Sequence, residues 1–258
     1  MPIAYSREGN IGCITLNRPP ANSYNADGML ELRAAIEAAG EDNAARVVIV
    51  RSALERFFSA GADMSFLIES SLEQNLAMVD QAHETLSLMS RMPKPFIAQI
   101  GGHTLGGGME IALACDMRFG ATGRYTLGLP EVTLGIIPGN GGTQRLARLL
   151  GVSRALDLMF TGRRLTPEEA HNLGILDRLF PAEELAERTR EYAEGLANGA
   201  SFAIGTIKRA VYEGRTLPLD EALGLERSLL EPVLQGPELK EGISAFKEKR
   251  QPNFHAET

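Results

Sequence analysis

Apolar positions in the first half of the chain switch repeatedly between two periods. The stretch IAYSREGNIGCITLNRP carries two β-leaning runs around Glu8-Gly9-Asn10, the pattern of a hairpin. Met29, Leu32, Ile36 and Ala39 then fall at helical spacing, with Asp27 placed to cap that helix. Residues 46–50, RVVIV, form a β-branched run that reads as a buried strand. The loop FFSAGAD, a helix within 73–91 and a strand over 95–100 follow. LGGGMEIALACD, residues 105–116, reads as a loop turning into a helix, and a strand over 117–121 comes next. Strands and helices in alternation predict a parallel α/β fold.

Beyond residue 140 strands nearly vanish. Thr166-Pro167-Glu168-Glu169 has a cap, a proline at the first helical position and two acids in the first turn. One short strand is expected over 175–180. Residues 183–249 read as helical, broken at Gly199, Gly214 to Pro218 and Gly236-Pro237. The expected division is a β/α core over 1–195 and a helical region over 196–258.

Composition narrows the function classes. The chain has 258 residues, 44% hydrophobic and 23% charged, enough to bury a core without disulfides or metal. A net charge of −7 argues against nucleic-acid and membrane-surface partners. The opening MPIAYSREGN lacks the apolar run of a secretory signal, and cytosol is the expected compartment. Cys13 and Cys115 have no metal or redox spacing, and neither do His83, His103, His171 and His255, so no metal site is expected. His103 is expected to be packed or hydrogen-bonded, Cys115 to be core, and Asp63 and Asp116 to cap or pin loops.

The glycine clusters AGAD (60–63) and LGGGME (105–110) fit no nucleotide fingerprint: neither GGHTLGGGME nor GNGGTQRL has the required spacing. Glycines there permit tight turns. They also let backbone N–H groups approach a ligand that a Cβ would hold off, and two such donors can stabilise charge on a carbonyl oxygen. Glu110 and Glu131 each stand as a single carboxylate among apolar and small residues. An unpaired buried charge shifts its pKa or finds a partner, so Glu110 is either a paired core residue or a working acid or base, and Glu131 either a loop cap or the same.

FFSAGADM, GGHTLGGGMEIALACD, GLPEVTLGIIPGNGGTQRL and EGISAFKEKRQPNF together resemble the crotonase, or enoyl-CoA hydratase/isomerase, superfamily, from Arg18 to about Phe254. The resemblance implies an α/β crotonase (ClpP-like) fold of repeated β/β/α turns with a C-terminal helical oligomerisation region. It implies hydration of a trans-2-enoyl-CoA, with double-bond isomerisation, a hydratase specialised for branched, cyclic or aromatic acyl groups, or a non-catalytic RNA-binding or partner-subunit homologue as the alternatives. Coenzyme A is part of the substrate and no separate cofactor is expected. Ala62 and Gly107 would supply the oxyanion-hole amides, Glu110 would activate water, and Glu131 would exchange the proton at C2. Ala60, Asp63, Met64, Leu67, Gly106, Pro130 and Gly139 would line the substrate. Arg18, Arg56 and Lys249 would meet the CoA phosphates, although Pro20 and Ser65 stand where the family often has lysine. Homotrimers, or hexamers built from two of them, are the implied assembly.

Overall fold

The computed structural model describes residues 2–255. The chain opens with an antiparallel hairpin, β1 (Ile3–Glu8) and β2 (Ile11–Leu16), followed by α1 (Ala26–Glu41). Three β/β/α turns then repeat. The first is β3 (Val47–Ser52), β4 (Phe57–Ser59) and the helices α2 (Met64–Glu69) and α3 (Leu72–Arg91). The second is β5 (Phe96–Ile100), β6 (His103–Leu105) and α4 (Gly107–Ala114). The third is β7 (Met117–Ala121), β8 (Leu127–Gly128), a 3-10 helix (Glu131–Leu134) and α5 (Gly142–Leu150).

Each turn places its first strand in one sheet and its second in another. The larger sheet has the order β1-β2-β3-β5-β7, closed at its edge by β9 (Arg178–Phe180). The smaller sheet is β4-β6-β8, all parallel. Val47 to Val50 are buried at every position, as a parallel strand covered on both faces requires. Between β8 and β9 lie α6 (Val152–Thr161) and α7 (Pro167–Asn172), the latter opened by a capping box between Thr166 and Glu169.

The C-terminal region is α8 (Leu185–Ala197), α9 (Ser201–Gly214), α10 (Leu219–Gln235) and α11 (Pro237–Glu248), with breaks where the glycines and prolines predict them. Leu185, Thr189, Ala193 and Ala197 form the buried stripe that seats α8 on the larger sheet. The expected boundary after residue 195 therefore falls inside α8, and the break between elements comes at 198–200. Residues 256–258 of the expected helical region lie outside the described residues.

Three local expectations change. Asn25, not Asp27, caps α1, its Oδ1 accepting from the Gly28 amide at 3.1 Å, while Asp27 sits in the first turn. Phe57–Ser59 is a strand rather than loop. The strand expected over 175–180 is confined to its last three residues. No helix among the described residues is long and apolar enough to cross a membrane.

Candidate active site

The parallel strands β4, β6 and β8 end side by side, and each end delivers one part of a shared cavity. β4 runs into Ala60 to Asp63, β6 into Gly106 and the start of α4, and β8 into Pro130 and Glu131. Ala62 is fixed by a parallel bridge to Tyr24: the Tyr24 N–H donates to the Gly61 carbonyl at 3.0 Å, and the Asp63 N–H to the Tyr24 carbonyl at 2.7 Å. That pattern leaves the Ala62 N–H pointing away from Tyr24. Gly107 is the first residue of α4, where helix geometry provides no internal partner for an N–H.

The two loops touch. Gly61 has φ +92°, and a Cβ there would stand 2.7 Å from the Gly107 nitrogen. A Cβ on Gly107 would collide with the Tyr24 hydroxyl, and one on Gly108 with the Ser59 carbonyl oxygen. The triple glycine is thus a packing requirement: it lets α4 sit directly on β4. All eight residues of α4 are buried, so its one carboxylate is buried too.

Glu110 is 1% exposed, and its Oε1 accepts from the amides of Asn140 and Gly142, both at 2.7 Å. Burial raises its pKa, while the two amides and the charges of Arg145 and His83 pull it back toward the ionised form. Glu131 is 9% exposed and opens the 3-10 helix. Its Oε1 lies beside Gly106, 3.3 Å from where a Cβ would be, and its Oε2 is buried without a partner. Burial pushes this carboxyl up to about 7; its own amide lowers it in part, and the charge of Glu110 adds to the rise. Two carboxyls on one cavity therefore differ in support: one is held by backbone donors, the other has an unpartnered oxygen able to carry a proton.

The loop 139–142 that holds Glu110 is itself fastened from three sides. His83 Nε2 lies 2.7 Å from the Gly139 carbonyl oxygen, Arg145 donates to the Asn140 carbonyl at 2.9 Å, and Asn140 Nδ2 donates to the Tyr24 hydroxyl at 2.7 Å. Tyr24 is buried, and burial holds its hydroxyl in the protonated form. Sequence reasoning missed Tyr24, Asn140 and Arg145 as supports of Glu110. Only the glycines of GNGG hinted at a tight loop whose amides face inward.

The cavity measures about 280 Å³. Ala60, Met64, Leu67, Gly106, Pro130 and Gly139 line it together with Ala62, Gly107, Glu110 and Glu131. Met78, Val79, Leu134, Ile136 and Ile137 extend its apolar wall, and Arg164, also unforeseen, reaches its lining. The other expected contacts lie outside. Asp63 caps α2, accepting from the Ser65 amide at 2.9 Å. Arg18 covers Gly28 at the start of α1, against a separate small cavity. Lys249 is the left-handed C-cap of α11, with φ +54°. Arg56 is exposed beside the Phe57 ring.

His103 is packed as expected: its Nδ1 accepts from the Thr126 amide at 3.1 Å, and its ring tilts against Phe57. Its pKa is lowered by burial and by the charges of Arg56 and Arg164, which places both arginines in its neighbourhood. Cys115 is core, and Asp116 pins the Phe96 amide at 2.6 Å. No cluster of three or more His, Cys, Asp or Glu suited to a metal occurs among the described residues.

Comparison with known proteins gives the same direction as the geometry. A family model described as enoyl-CoA hydratase/isomerase matches residues 6–257. The chain is 34% identical over 253 residues to a crotonyl-CoA hydratase of Syntrophomonas wolfei, covering 98% of this chain and 97% of that one. It is 36% identical over 251 residues to a 2,3-dehydroadipyl-CoA hydratase of Escherichia coli, covering 96% of each. A crystal structure of an enoyl-CoA hydratase from Bacillus anthracis superposes with a TM-score of 0.95 at 38% identity, over the full length of both chains. With the family model spanning residues 6–257 and relatives above 30% identity covered almost end to end, the chain belongs to the enoyl-CoA hydratase/isomerase family.

Proposed function

We propose that the protein reversibly adds water, in syn fashion, across the 2,3 double bond of a trans-2-enoyl-CoA to give a 3-hydroxyacyl-CoA. The observation that carries this reading is the unequal support of the two carboxyls on one cavity. Glu110, held by two amides, is the ionised base that takes a proton from water as its oxygen bonds to C3. Electrons move onto the thioester oxygen, where the N–H groups of Ala62 and Gly107 stabilise the enolate. Glu131, raised to about 7, then gives its proton to C2. The proton count closes: one leaves Glu131, one arrives on Glu110, and exchange with solvent resets the pair. Delivery of both groups from one cavity supports addition to a single face of the double bond.

No separate cofactor is required, because coenzyme A enters with the substrate. Arg56 and Arg164 are suited to its phosphates, and the wall of Met64, Leu67, Val79 and Ile137 suits an apolar acyl group. Assembly into trimers or hexamers is supported by α10. Leu219, Leu223, Leu230 and Leu234 are 72%, 50%, 46% and 56% exposed and lie along one stripe of that helix.

The test uses crotonyl-CoA and follows loss of its conjugated absorbance. Glu110→Gln and Glu131→Gln should each lower kcat by ~10²–10⁴ while the circular dichroism spectrum is retained. Wild-type rates in both variants would overturn the assignment. Product analysis across acyl groups of different length and polarity separates hydration from double-bond migration and tests the apolar preference.

A further inference from the structure

A second cavity, of about 240 Å³, lies behind α5, between the C-terminal ends of α3, α4 and α9. Its character is set by charge. Arg118, Arg145, Arg148 and Arg215 line it, with Asp116 as its one acid. Two of these five are already neutralised. Arg118 pairs with Asp177 at 3.0 Å and also donates to the Ile175 and Cys115 carbonyls. Asp116 pairs with Lys208 at 2.7 Å.

The other three guanidiniums have no carboxylate partner among the described residues. Arg145 donates to the Asn140 carbonyl, Arg148 to Gln144, and Arg215 lies 4.8 Å from the centre of the Tyr212 ring. Arg145 is half-buried: burial works against its charge, the charge of Glu110 offsets part of that, and the charge of Arg215 adds to the opposition. Three like charges gathered on one concave surface, in a chain whose net charge is −7, repel one another unless an anion joins them. Guanidinium forks match the oxygens of phosphate and carboxylate, and the Tyr212 hydroxyl and two serines of α3, Ser87 and Ser90, add neutral polar groups to the same wall.

We infer that this cavity is an oxyanion-binding site for a phosphate-type ligand, separate from the cavity of Glu110 and Glu131 and joined to it through Arg145. The joint is physical. Arg145 is at once a wall of the anion site and the donor that fastens the Asn140 carbonyl, in the loop whose amides hold Glu110. An anion here engages the remaining N–H groups of Arg145 and fixes the side chain that braces that loop. Nothing in this inference depends on which acyl-CoA reaction the enzyme performs.

The experiment is calorimetric titration of the whole protein with inorganic phosphate, against sodium chloride at matched ionic strength, with citrate as the carboxylate arm. Saturable heat is expected with phosphate and none with chloride. Arg148→Gln and Arg215→Gln, both on exposed side chains, should each weaken phosphate binding by about ten- to a hundredfold at an unchanged unliganded melting temperature. Citrate binding in place of phosphate would overturn the phosphate assignment. Absence of saturable heat, or phosphate heat that survives in both variants, would overturn the site itself. The first of these also covers occupation of the cavity by an acidic side chain of a second copy.

Discussion

Replacing Glu131 by glutamine removes the proposed proton donor without changing its size, and the consequence is best read in the pH profile. With a pKa of about 7, Glu131 is about half protonated at neutrality, about one-tenth at pH 8 and about one-hundredth at pH 9. If the protonated acid is the active form, kcat/KM for hydration falls about fiftyfold between pH 7 and pH 9. Adding water to an alkene consumes no net proton, so the forward and reverse kcat/KM must keep a pH-independent ratio. Dehydration of the 3-hydroxyacyl-CoA therefore shows the same alkaline limb, because in both directions the active pair carries one proton. The limb belongs to the pair as a unit, with Glu110 setting the acid side. Glu131→Gln should lower kcat/KM at pH 6.5 by ~10²–10⁴, a barrier rise of about 3–5 kcal/mol, and abolish the limb. The assay is initial velocity in both directions from pH 5 to 9.5. A limb near 7 that persists in Glu131→Gln, or a loss smaller than tenfold, refutes the reasoning.

The same substitution has a stability signature. Because folding raises the Glu131 pKa, its stabilising share is complete below the ordinary carboxylate range and is lost as pH rises through about 7; Glu131→Gln should thus gain up to about 3 kcal/mol over wild type at pH 8, read by urea denaturation. Tyr24→Phe deletes the acceptor of Asn140 Nδ2 and should lower kcat about five- to thirtyfold with little change in KM, in steady-state kinetics on crotonyl-CoA. Lys208→Met strips a buried ammonium from the Met89 and Lys94 carbonyls and from Asp116, and should cost about 3–5 kcal/mol in the same urea titration because the carboxylate stays behind unpaired.

Legibility in the sequence followed element length. Strands β3, β5 and β7 carry five or six residues each, enough for apolar runs to declare them, and the C-terminal helices were delimited by their own glycines and prolines. The strands of the smaller sheet, FFS, HTL and LG, are two or three residues long, below the length at which a period of two can be seen. FFS reads as loop, and HTL and LG declare no element at all, although the three position the site. Glu110 and Glu131 were visible because a lone acid among apolar neighbours is anomalous. Tyr24 and Asn140 were not, because a tyrosine in an N-terminal loop and an asparagine between glycines are ordinary locally. They matter only through a contact spanning 116 positions of sequence. For α1 the sequence reading puts the cap at Asp27, and the extended backbone at Asn25 sets it two residues earlier.

The short parallel sheet β4-β6-β8 also bears on how activity is acquired. Its strands come from three successive turns, and the chain between Ala60 and Gly142 must be threaded through all of them before both amides and both carboxyls face one another. No local segment holds the whole site: α4 carries Gly107 and Glu110, but Ala62 and Glu131 come from the turns before and after it. During refolding, helical signal from the C-terminal region can return early, whereas turnover must wait for these distant strands to register. Recovery of catalysis would thus serve as a clock for closure of the smaller sheet, lagging the return of secondary structure.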